Sequence, residues 1–199
     1  MHLLGLSGSP TPGAKSKTLI AVRKAIEYAQ AAHPEISVDV LSIRDHDMQF
    51  CDGREPELYE GDSKAVIDRV VAADALIIGS PMYRGSYPGV LKNVFDLLPN
   101  DAMEGKPVGL IATGGTDHHF LALEHELKPV IGFFYAHAIP GGVYANNSHY
   151  ADGELIDEGI LERLRDLAVA VVEFAIQLPG RSLIGPAKPS IPRRSLVEG

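Results

Sequence analysis

Two short runs constrain this chain more than any other feature. Ala75-Leu76-Ile77-Ile78-Gly79-Ser80 and Val108-Gly109-Leu110-Ile111-Ala112-Thr113 are apolar at nearly every position, without the alternation of a strand that shows one face to water. Strands of this kind are covered on both faces, and the arrangement that covers both is a parallel sheet with helices above and below. The covers are legible too. Leu19, Val22, Ile26 and Ala29 recur at helical spacing over 16–32, and Val66, Ile67, Val70 and Val71 do so after Ser63, which is placed as an N-cap.

The remaining elements continue the alternation. His2–Ser7 reads as a buried strand, and Ile36–Ile43 alternates like a strand near a sheet edge. Pro88 suits the first turn of a helix with Val90, Leu91, Val94, Phe95 and Leu98 on one face. A helix after the fourth strand is expected to run through Leu127 with a break near Pro129, and residues 133–145 supply a last strand. Asp157 caps a long helix in which Ile160, Leu164, Leu167, Val171 and Val172 are regularly spaced. Strict alternation with five strands predicts the α/β class, a flavodoxin-like doubly wound five-stranded parallel sheet in the order 2-1-3-4-5. One domain over 1–178 is expected, followed by an extended tail over 179–199 that contains Pro186, Pro189 and Pro192.

Charge and composition narrow the function. The net charge is −8, yet residues 1–26 hold Lys15, Lys17, Arg23 and Lys24 with no carboxylate, which leaves −12 on the remainder. That surface does not suit nucleic acid, whereas a local anion site fits it. No run approaches the ~20 apolar residues of a membrane span, and Met1–Leu6 is too short for a signal peptide, so the cytoplasm is expected. The single cysteine, Cys51, rules out an internal disulfide and reads as a bystander. The acidic stretch 44–62 reads as a solvated connection, with a contribution to a subunit contact or to the border of the active site as the alternative. His118, His119 and His125 lack the i, i+4 spacing of helical metal ligands, so no metal is expected, and without a G-x-S-x-G elbow a hydrolase is disfavoured.

The predicted strand order locates the site. A crevice opens beyond the carboxyl ends of strands one and three, bordered by the loops 8–18, 81–87 and 114–117. The first of these, Gly8 to Thr18, carries hydroxyls and lysines into the start of a helix and reads as a phosphate loop; by itself it reads equally well as a capped helix with surface lysines. It matches neither G-x-x-x-x-G-K-[ST] nor G-x-G-x-x-G, which disfavours ATP and the usual dinucleotide mode. A monophosphate with a flat ring fits, and FMN is the expected cofactor. Its phosphate would meet Ser9, Ser16 and Thr18, with Lys15 and Lys17 adding charge. Pro81, Met82, Tyr83 and Arg84 on one side, and Thr113, Gly114, Gly115, Thr116 and Asp117 on the other, would border the ring. Alternatives stay open at three of these: Tyr83 as a half-buried aromatic, Arg84 as a rim residue, and Asp117 as the cap of the following helix.

Gly8-Ser9-Pro10, the run Ser80 to Asn93, Ala112-Thr113-Gly114-Gly115-Thr116 and Leu127-Lys128-Pro129-Val130 together resemble the NAD(P)H-dependent FMN reductases, above all the flavin-supplying components of two-component monooxygenases. The resemblance covers roughly 1–175 and departs at Thr11, where a basic residue is common. It implies FMN between 81–87 and 113–117, NADPH or NADH as hydride donor, and a homodimer or homotetramer. A flavin-dependent monooxygenase partner is also implied, as is a one-residue π-type insertion around Glu124-His125-Glu126. Hydride transfer to bound flavin needs orientation more than an acid or base, so no catalytic side chain is expected. A quinone, azo or metal-ion reductase shares the implied fold and cofactor, and a flavodoxin-type carrier is the other alternative. No cluster for a 2′-phosphate distinguishes NADPH from NADH.

Overall fold

The computed structural model describes residues 1–178 and 185–186. Apart from 185–186, the expected tail over 179–199 lies outside the described residues. Strands β1 (His2–Ser7), β2 (Ser37–Ser42), β3 (Ala75–Pro81) and β4 (Pro107–Thr113) are all parallel, and the sheet runs β2-β1-β3-β4-β5 as predicted. β3 and β4 are buried at every residue, whereas β2 is exposed or half-buried over most of its length, as an edge strand is.

The last strand departs from the expected 133–145. It is split into β5 (His137–Ala138) and β6 (Val143–Ala145), each pairing in parallel with β4. Pro140 has no N–H for the ladder and Gly141 turns at φ 79, so the chain leaves the sheet edge and returns three residues further along. A small hairpin, β7 (Tyr150–Ala151) with β8 (Glu154–Leu155), follows it. Asp152 and Gly153, both at positive φ, make its turn, which is the preferred two-residue hairpin dipeptide.

Helices cover both faces. α1 (Lys17–Ala32) and α5 (Glu158–Gln177) pack on one, where Leu3, Val22, Ile77, Ile111, Leu164 and Val171 form the core. α1 lies close because Gly5 and Gly79 have no side chain beneath it: a Cβ at either would overlap Val22. Ser16 caps α1, its Oγ accepting from Leu19 N at 3.2 Å, and Asp157 caps α5 through Ile160 N at 2.9 Å. α2 (Gly61–Ala72), α3 (Gly89–Leu97) and α4 (Lys128–Phe133) cover the other face over Leu4, Leu6, Val66, Ile78, Val94 and Leu110. Each such buried aliphatic contributes about 1.5–3 kcal/mol relative to exposure.

Three local expectations change. Ser63 does not cap α2, which begins at Gly61; its buried hydroxyl instead accepts from Gln49 N at 2.7 Å and holds the 44–62 connection. Pro88 is the N-cap of α3 and not part of its first turn. The helix after β4 is not broken at Pro129, which sits in the first turn of α4. The irregularity comes earlier, as a π-helical turn over Leu123–Leu127, where the resemblance implies a π-type insertion around Glu124-His125-Glu126. Pro129 cannot donate to the carbonyl four residues back, and the wider turn before it relieves that clash.

The 44–62 connection is tied down along its length. Cys51 N donates to Asn93 Oδ1 at 2.8 Å, Asn93 Nδ2 donates to Gln49 O at 2.9 Å, and Tyr59 OH donates to Asp52 Oδ1 at 3.0 Å. Arg54 pairs with Asp52, whose carboxyl it holds well below the usual carboxylate range.

Candidate functional site

The crevice predicted at the β1/β3 switch is present, with a volume of about 260 Å³. Each bordering loop stays tied to a neighbouring strand as it leaves the sheet. Gly8 N donates to Gly79 O at 2.7 Å, Met82 N to Thr113 O at 2.7 Å, and Gly114 N to Ala145 O at 3.1 Å. Ten of the expected residues line it together: Ser9, Lys15, Lys17, Thr18, Pro81, Met82, Tyr83, Thr113, Gly114 and Gly115. Thr11 and Asn147 line it as well.

One end gathers hydroxyls, lysines and a helix amino end, a chemistry that suits an anion. Ser9 is buried, and its Oγ accepts from Thr11 N at 3.2 Å, which leaves its proton to donate. Thr18 Oγ1 and Thr113 Oγ1 share one hydrogen bond of 2.6 Å in a buried position, so one hydroxyl proton of the pair remains for another acceptor. The amino end of α1 opens beside them, and its dipole favours negative charge there. Lys17 Nζ donates to Asn147 Oδ1 at 2.8 Å and stands 5.2 Å from the centre of the Tyr150 ring. Burial pushes the Tyr150 phenol far above its ordinary range, so it remains a donor, to Lys17 O at 3.1 Å. Ser16 does not line the crevice; its hydroxyl accepts from Leu19 N as the helix cap. Nearby, at the carboxyl end of β1, the Ser7 hydroxyl is wholly buried without a hydrogen-bond partner among the described residues.

The other end is bordered by Pro81, Met82 and Tyr83 on one side and by the Thr113-Gly114-Gly115 turn on the other. Tyr83 is 46% exposed, and the turn behind it closes with Tyr83 N donating to Ser86 O at 2.7 Å and Ser86 N to Tyr83 O at 3.1 Å. Arg84 and Gly85 take positive φ of 55 and 86 at its tip, and Arg84 is exposed and does not line the crevice. Ser86 Oγ donates to Glu126 Oε2 at 2.7 Å, which ties this turn to the π-helical one. Opposite, a Cβ on Gly114 would overlap the Tyr144 hydroxyl, which donates to Thr116 O at 2.5 Å. Burial and the Asp117 charge both raise the Tyr144 phenol.

Two expected contacts are directed elsewhere. Thr116 Oγ1 lies 2.8 Å from His118 Nδ1, and Asp117 Oδ1 accepts from Asn146 Nδ2 at 2.6 Å. Neither lines the crevice, and Asp117 makes no cap bond to the short turn that it begins. The reach of 144–150 is what sequence reasoning missed. The rule that loops at strand carboxyl ends border the site applies to the loop after β6 as well, and the polar run Asn146-Asn147-Ser148 was its signal.

A larger cleft of about 560 Å³ lies past Pro10, between Ile43, Met48, Phe50, Pro88 and Val90. His46 and Asp47 also line it, and the Asn93 amide on its wall is already committed to Cys51 and Gln49. Among the described residues no group of three His, Cys, Asp or Glu side chains is placed to hold a metal, and no helix is long and apolar enough to cross a membrane.

Comparisons with known proteins place the chain in a family. The family described as NADPH-dependent FMN reductase matches residues 1–150. An NAD(P)H-dependent FAD/FMN reductase of Geobacillus thermodenitrificans is 40% identical over 175 residues, 87% of this chain and 93% of that protein. The NADH-dependent FMN reductase SfnF of Pseudomonas putida is 32% identical over 166 residues, covering 83% and 89% of the two. Among solved structures, the apo form of an NADH:FMN oxidoreductase, EmoB, superposes with a TM-score of 0.72 over 90% of each chain at 24% identity, a likeness of fold.

Proposed function

Because the chain belongs to the NADPH-dependent FMN reductase family, we propose that its crevice holds FMN for reduction by NADPH or NADH. The observation that carries the reading is the convergence, in one crevice, of the hydroxyl- and lysine-bearing loop at 9–18 with the turns at 81–83 and 113–115. The residues fit the cofactor. Ser9, Lys15, Lys17 and the first amides of α1 suit a phosphate monoester dianion, where charge-assisted hydrogen bonds are about twice as strong as neutral ones. Gly114 admits the Tyr144 hydroxyl that braces this turn, and the Gly115 and Thr116 amides, which have no partner among the described residues, can donate to the polar edge of a flavin ring. Bound FMN supplies the two-electron chemistry, accepting hydride from the nicotinamide. Tyr83 flanks the ring site and Arg84, at the rim, attracts the phosphates of the donor nucleotide.

The reading extends to delivery of reduced flavin to a flavin-dependent monooxygenase, to work in the cytoplasm, and to a homodimer or homotetramer. Supporting the last is an apolar groove of about 350 Å³ between α3 and α4, in which Phe133 is 63% exposed beside Phe95, Val130 and Phe134.

The test is a steady-state assay of NADPH and NADH oxidation with FMN, quinone and azo acceptors, alongside a flavin-quenching titration. Micromolar FMN binding with turnover on FMN is expected. No quenching would refute the site, and turnover on quinone or azo dye exceeding that on FMN would make this chain an acceptor reductase.

A further inference from the structure

Asn147 stands on the turn after β6 and lines the crevice between Lys17 and the Gly114-Gly115 turn. Its Oδ1 accepts from Lys17 Nζ at 2.8 Å. An ammonium only donates, so this bond orients the amide, with the oxygen toward Lys17 and Nδ2 directed away. Nδ2 lies 3.8 Å from where a Cβ on Gly115 would stand, and it has no acceptor among the described residues. The turn that carries it is held from behind. Ser148 N donates to Asn146 Oδ1 at 2.7 Å, Asn146 Nδ2 to Asp117 Oδ1 at 2.6 Å, and Tyr150 OH to Lys17 O at 3.1 Å. A donor set on a turn bound to both walls is preorganised for a ligand, and little ordering remains to oppose binding.

Resting on the FMN reading above, we propose that Asn147 is a flavin-binding residue, its Nδ2 donating to an oxygen of the riboflavin portion while Lys17 serves the phosphate. A residue that only held Lys17 in place would affect phosphate recognition alone. Two substitutions separate these roles. Asn147→Asp keeps an acceptor for Lys17 and removes the donor, whereas Asn147→Ala removes both.

FMN and riboflavin are titrated by flavin fluorescence against the full chain and both variants, with thermal unfolding of the flavin-free proteins as the control for folding. Both substitutions are expected to weaken riboflavin about tenfold, as loss of one well-placed hydrogen bond does, with unfolding unchanged. Riboflavin binding at the unsubstituted level in either variant overturns the proposal. So does a loss confined to FMN, which would assign Asn147 to Lys17 alone. If the unsubstituted chain binds neither flavin, the FMN reading itself fails and takes the proposal with it, and that outcome is visible before any substitution is made.

Discussion

The two ends of the sheet treat lysine in opposite ways. At the amino ends of the strands, Lys106 is wholly buried, and its ammonium donates to Val70 O at 2.9 Å and Val71 O at 2.8 Å in the last turn of α2. At the carboxyl ends, Lys15 and Lys17 stand on an open crevice beside the first turn of α1. The fold itself makes this difference. In a parallel α/β sheet the connecting helices direct their amino ends to one rim and their carboxyl ends to the other, so one rim attracts anions and the other cations. The cation at the negative rim is a side chain of the chain itself, permanently present and acting on stability. At the positive rim the proposed anion is a ligand, exchangeable and acting on function.

The largest expected effect tests the permanent end. Lys106→Met leaves two buried carbonyls without their donor and should lower the unfolding free energy by about 3 kcal/mol in a urea titration. FMN affinity should stay within twofold (about 0.4 kcal/mol). A larger loss of flavin binding than of stability would break the division between the two ends.

Gly114→Ala probes the other end. The new methyl meets the Tyr144 hydroxyl, and re-siting that side chain should cost about 2 kcal/mol, read chiefly as weakened FMN binding. Adding Tyr144→Phe removes the clashing oxygen and should restore part of the affinity. No recovery in the double variant would show that the glycine matters for another reason.

The smallest effect sharpens the boundary. Ser16→Ala removes the cap of α1 without removing a crevice residue, so about 1 kcal/mol of stability should go, by thermal or urea unfolding. A greater loss of FMN affinity than of stability would return Ser16 to the binding set.

Much of the fold was legible because its signals are local. Uninterrupted apolar runs at 75–80 and 108–113 require cover on both faces, and helical spacing names the faces that provide it. The sheet order and the β1/β3 crevice follow from that alternation, which is why ten of the expected lining residues meet there. Three of the departures share one cause. Ser63, Thr116 and Asp117 carry side chains that bond locally to their own backbone as readily as to a distant partner. Ser63 took Gln49, Thr116 took His118 within its own turn, and Asp117 took Asn146.

By itself the sequence determined the class of fold and the rim at which the turn-rich loops gather, since periodicity and residue type suffice for these. Only the tertiary structure decided which hydroxyls keep a proton to give, that Lys106 answers the carboxyl end of α2, and that Asn147 reaches across from the loop after β6 to Lys17. The last pair is 130 residues apart in the chain, and nothing in local spacing encodes a contact that forms only when the sheet brings two strand ends together.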